Sequence, residues 1–118
     1  TGYLKSFNGL TMSSTIGYRM LRDGSVTGVS ANYNITDAGT DGIIRIRAFK
    51  DGTSVFHASN ASISGTGMDS ISATQARYVD VFSTGNIMSL NIEIAVETGS
   101  DYPAIDDIIA YFEVVFND

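Results

Sequence analysis

The 118-residue chain has no cysteine and no tryptophan, one histidine, one proline, and only 7 lysines and arginines. Without cysteine there is no disulfide and no thiolate for catalysis or metal binding. Set against 13 acids, the few basic residues leave a net charge of −6. Phosphate binding needs basic side chains, so nucleic acid is not an expected partner, and anionic membrane surfaces are disfavoured equally. No apolar run approaches the ~20 residues that span a bilayer, so no membrane insertion is expected. The lone His57 lacks a partner motif, and a general base needs an oriented neighbour. No serine sits in Gly-x-Ser-x-Gly, and no Gly-rich phosphate loop or metal-binding Cys/His cluster occurs. The chain is therefore not expected to be an enzyme, and no cofactor is implied.

What is present is alternation. From Met88 to Val96 the even positions are Met, Leu, Ile, Ile and Val, and the odd ones are mostly polar. Ile44, Ile46 and Ala48 alternate with Arg45, Arg47 and Phe49, and Val29, Ala31, Tyr33 and Ile35 alternate with polar residues. A period of two is the mark of half-buried strands. Val26 is out of phase with Val29, which predicts a bulge at Gly28. Asp23-Gly24 and Asp51-Gly52 read as hairpin turns, 37–42 and 65–69 as loops, and Pro103 falls in a loop over 98–105. Strands are expected near 14–20, 25–36, 43–50, 53–58, 73–81, 87–97 and 106–117, with a short one near 3–7. This spacing, without a capped helical stripe, predicts a single all-β domain over 1–118, a sandwich or barrel. Leu90, Ile92, Ile94, Phe112, Val114, Phe116, Ile44 and Ile46 are its expected core.

The last strand departs from simple alternation. Its even positions, Ile108, Ala110, Phe112, Val114 and Phe116, form an apolar face. Its odd positions include Ile109, Tyr111 and Val115 beside Glu113. A strand apolar on both faces is expected to be covered on both, the second cover being another subunit.

Two segments resemble a known family. Phe82-Ser83-Thr84-Gly85-Asn86 followed by the alternating run from Ile87 resembles the Gly-Asp strand entry of complement/tumour-necrosis-factor-like jelly rolls, with Asn86 in place of the usual Asp. The stretch from Gly17-Tyr18-Arg19-Met20-Leu21-Arg22-Asp23-Gly24 onward is similar to the opening of heads on collagen-like bacterial surface proteins and of phage fibre and capsid modules. Leu21 stands where proline is common there. The likeness runs from about 14 to 116. It implies an antiparallel β-sandwich of jelly-roll (tumour-necrosis-factor-like) topology, a homotrimer, and a C-terminal module that is not an enzyme.

The trimer interface is expected to hold Phe49, Ile109, Tyr111 and Val115, with Arg45 and Arg47 meeting Glu93 or Glu113 across subunits. Acids gather in two loops, Asp37 with Asp41 and Asp101 with Asp106 and Asp107. Carboxylates of this kind suit calcium, although neither loop is an EF-hand and Asp is also a routine turn former. The sequons at Asn34 and Asn60 matter only in a secretory pathway. Three functions compete. The first is a structural virion part, a capsid decoration or fibre knob bound to capsid or fibre protein. The second is an adhesive head of a bacterial collagen-like surface protein, binding a cell-surface receptor or glycan. The third is a carbohydrate-active enzyme, which the absence of tryptophan platforms disfavours. The first two place the chain on a virion surface or outside the cell.

Overall fold

The computed structural model describes residues 2–4 and 11–117. Among the described residues nine strands follow one another: β1 (Gly2–Tyr3), β2 (Tyr18–Arg19), β3 (Gly24–Asp37), β4 (Gly42–Lys50), β5 (Thr53–Asn60), β6 (Gly67–Thr74), β7 (Asp80–Phe82), β8 (Ile87–Val96) and β9 (Ala104–Phe116). No helix occurs among the described residues. All pairings are antiparallel and make two facing sheets, a β-sandwich. In the first sheet β8 lies between β4 and the short pair β1 and β2, and β5 closes the far edge. In the second, β3 is central. β9 runs along one of its edges, and β6 and β7 share the other.

The alternating runs put their apolar sides between the sheets. Ile44, Ile46, Ala48 and Met88 are fully enclosed, as are Val26, Val29 and Ala31 from the facing sheet. Each enclosed Ile or Val contributes about 1.5–3 kcal/mol relative to exposure. Leu90 and Ile92 are buried as expected, whereas Ile94, Phe112 and Val114 are half-buried against the core and Phe116 is 40% exposed. The reason lies in the layout. β9 is an edge strand, and the edge facing it across the sandwich consists of the two-residue strands β1 and β2. Tyr18 of β2 covers Phe112 edge-on, with ring centroids 5.7 Å apart.

The expected bulge is present. Between Val26 and Gly28, β3 carries one more residue than β9, which returns Val29 to the inner face. Asp51 and Gly52 have φ of 49° and 86° and join β4 to β5 in a two-residue turn of the kind such dipeptides favour. Asp23-Gly24 is not a hairpin. It carries the chain from one sheet to the other, and the Asp23 carboxylate accepts the Thr84 backbone N–H at 2.7 Å. Gly24 is needed because a Cβ would meet the Val115 carbonyl oxygen at 2.4 Å.

Three expected strands differ. Only 18 and 19 of the 14–20 segment pair, because the Ser13 hydroxyl accepts the N–H groups of Thr15 and Ile16 and curls the chain. The 73–81 segment is the end of β6, a loop and β7. Gly67-Met68-Asp69, expected as loop, opens β6, whose outward residues are Met68, Ser70, Ser72 and Thr74 and whose enclosed large residue is Ile71 alone. The expected strand near 3–7 is seen as β1 at its start, and residues 5–7 lie outside the described residues.

Candidate assembly surface

β9 owes its exposure to its place. Its inner edge is hydrogen-bonded to β3 from Gly24↔Phe116 to Asp37↔Ala104, and no strand among the described residues pairs with its other edge. On its outward side Ile109 is 74% and Tyr111 63% exposed. Tyr111 stands in one row with Ser30 and Ser72, and Glu113 in the next with Gly28 and Thr74. These residues line a shallow trough of about 230 Å³, floored by the small residues of β3. The Glu113 carboxylate accepts a hydrogen bond from the Thr27 hydroxyl at 2.7 Å. Val115, opposite Ser25, is half-buried. A bulge ends this regular edge. Between Ile109 and Asp106, β9 has one residue more than β3, and Asp107 has φ of 51°.

The remaining expected interface residues lie on the other outer face of the sandwich. Arg45 is opposite Glu93, and Arg47 opposite Asn91 and His57. Arg45 is hydrogen-bonded to Glu93, and Arg47 reaches the same carboxylate at 3.3 Å and donates to the Asn91 side-chain oxygen at 2.6 Å. Its guanidinium also sits 5.1 Å from the Phe49 ring centroid, and Phe49 meets Tyr3 edge-on. The hydrogen bond from Arg45, with the charge of Arg47 behind it, holds the Glu93 carboxyl below the usual carboxylate range. These arginines are thus engaged within their own chain, and neither is bonded to Glu113. The eight expected residues form two groups on two sheets: Ile109, Tyr111, Glu113 and Val115 on β9, and Arg45, Arg47, Phe49 and Glu93 on β4 and β8.

Sequence reading missed a further apolar group at the end where β9 finishes: Leu21 at 77% exposure, with Tyr78, Val79 and Val81 also out in solvent. Two of these fall in the loop between β6 and β7, where the expectation of one continuous strand hid them. It also missed Asn91, which shares Arg47 with Glu93. His57 is exposed on the arginine face. Of the loop acids, Asp37 accepts the Gly39 N–H within its own turn, whereas Asp101 accepts the Thr40 hydroxyl and Asp41 the Thr98 hydroxyl, which ties the two loops together. Among the described residues no three His, Asp or Glu side chains converge as metal ligands would. Inside, the Tyr33 hydroxyl lies fully buried beside Asn60 and Asp69 without a hydrogen bond of good geometry, and burial pushes its pKa up, with Asp69 adding to the shift. Compared with known proteins, the chain matches no family model, no curated protein and no solved structure.

Proposed function

We propose that this chain is a non-enzymatic structural domain that works by associating with copies of itself, as a capsid decoration or fibre knob on a virion surface. One observation carries the self-association: a long edge strand that exposes Ile109 and Tyr111 on one face and leaves Phe112 and Val114 half-covered on the other. An apolar strand edge of this kind is a liability that soluble proteins cover. The virion setting, the jelly-roll topology and the homotrimer rest on the resemblance of the segments around Tyr18 and Asn86 to tumour-necrosis-factor-like domains. The arrangement suits assembly more than turnover, since the one histidine stands exposed with Arg47 as its cross-strand neighbour. Sedimentation velocity at micromolar concentration tests the reading. The native chain is expected to run as an oligomer and Tyr111→Asp as a monomer of the same fold, because a carboxylate at a closed contact is costly. A native chain that stays monomeric contradicts it.

A second reading, an adhesive head that binds a receptor or neutral glycan, is favoured by the trough beside Tyr111, where Ser30, Ser72, Thr74 and Glu113 offer hydrogen-bond partners next to an exposed ring. It uses the same surface, so a bound sugar would compete with assembly. Titration with neutral oligosaccharides, followed by tyrosine fluorescence in the native chain and in Tyr111→Ser and by sedimentation, separates the two.

A further inference from the structure

We infer that the partner on the open edge of β9 is the β9 of a second copy, laid antiparallel about a two-fold axis through Phe112. The inference rests on the self-association reading, replaces the three-fold assembly that the resemblance implies with a two-fold one, and adds the contact and its register. The regular part of the edge runs from Ile108, just past the bulge at Asp107, to Phe116. It contains one charge, Glu113, and no proline or lysine, the residues that usually blunt an edge.

Antiparallel pairing of this stretch with itself has few acceptable registers. Residues opposite each other share a face, so inner positions must meet inner positions if both copies are to keep their cores on one side of the joined sheet. Full overlap of 108–116 on that condition centres on Phe112. Ala110 then faces Val114, Ile108 faces Phe116, Ile109 faces Val115, and Glu113 faces Tyr111 instead of its own copy. Apart from Tyr111, which meets Glu113, every apolar side chain has an apolar neighbour opposite, and no two acids of the stretch are opposed.

Charge distribution favours the same arrangement. The end of the sandwich where β9 starts carries Asp37, Asp41, Asp101, Asp106 and Asp107, and no described lysine or arginine lies in its loops. The end where β9 finishes holds Arg19, Arg22, Lys50 and Arg77 together with Asp23, Asp51 and Asp80, so it is close to neutral and carries the cations that the other end lacks. Arg77 is 3.5 Å from the Asn117 side-chain oxygen, and Arg22 shares a hollow with Asn117. An antiparallel partner sets the acidic end of each copy against the arginine end of the other, with Asp107 across from Asn117. Such complementarity fixes orientation more than it adds affinity. A two-fold contact is closed, so it covers both edges without starting a fibre.

Two measurements test this together. The first is sedimentation of the native chain, expected to show an even-numbered species, at least a dimer of about 25 kDa, twice the chain's 12.6 kDa. The second mixes the single variants Tyr111→Cys and Glu113→Cys, both at exposed sites of a chain without other cysteines, under a glutathione redox buffer. The mixture is expected to form a covalent dimer, and neither variant alone should. Two copies of position 111 would stand roughly 8 Å apart, beyond disulfide reach. Arg77→Glu is expected to weaken the dimer about tenfold, as a like charge beside Asp107 would. A monomer at every micromolar concentration overturns both this inference and the assembly reading. A trimer, or any oligomer whose mixed variants do not cross-link, overturns the β9 pairing while leaving assembly intact.

Discussion

β8 and β9 are written in nearly the same code, yet they meet different fates. Both alternate apolar residues over ten positions or more. β8 has β4 on one side and β1 and β2 on the other, so Met88, Leu90 and Ile92 are enclosed and even the polar Ser89 and Asn91 are buried on its outer face. β9 has β3 on one side and no described strand on the other, and its inner residues from Ile108 to Val114 stay half-buried while Ile109, Tyr111 and Glu113 stand in solvent. Alternation in sequence decides which face points inward. Position in the sheet decides whether the inward face is sealed.

This contrast can be broken by stability measurements. The largest effect is expected from Ile46→Ala, at a fully enclosed site facing β8's Ile92, with a loss of about 3 kcal/mol in chemical denaturation. Phe112→Ala, though it removes more atoms, is expected to cost only about 2 kcal/mol in dilute protein, because its ring is half-covered. An equal or larger loss at Phe112 would mean that β9 is as sealed as β8. Gly24→Ala, where the new methyl would meet the Val115 carbonyl oxygen and the Phe82 ring, is expected to cost about 1–3 kcal/mol and to loosen the start of the β3–β9 pairing.

Much of this contrast was legible in the residues. The alternation located β3, β4, β5, β8 and β9 closely, Val26 and Val29 announced the bulge, and the odd positions of β9 singled out Ile109 and Tyr111. What stayed hidden depended on partners far along the chain. In β6 the outward Met68 and the inward Ile71 blur the alternation, so pairing with β3 makes a strand that the local pattern does not show. Phe116 looks like core in sequence, yet at the end of an edge strand, with Phe82 edge-on beside it, it stays 40% exposed. Phe49 has the same outward, apolar character as Tyr111. It lies on the other sheet, under Tyr3 and Arg47, so two residues of one pattern end on opposite faces.

Smaller effects sharpen the comparison on the polar side. Glu93 of β8 is tied to Arg45 and Arg47, whereas Glu113 of β9 has only the Thr27 hydroxyl among the described residues. Glu93 has its carboxyl pKa lowered by folding. Its contribution is therefore present above the ordinary Glu range and lost as the pH falls through the lowered value. Glu93→Gln is expected to cost about 0.5–1 kcal/mol at neutral pH and nothing once the native carboxyl is protonated, since the pair is partly solvated. Tyr111→Ser on β9 should change the stability of dilute protein by less than about 0.5 kcal/mol while weakening association.

Amide hydrogen exchange at two protein concentrations bears most directly on the claim that β9 is open in a single chain and covered by another. The amides of β8 are expected to exchange slowly whether the protein is dilute or concentrated. Those along the free edge of 108–116 are expected to exchange fast in dilute protein and to become protected as concentration rises into the micromolar range. Protection of that edge at every concentration would show that the chain covers β9 by itself, and fast exchange at every concentration would show that nothing covers it; either result contradicts the account.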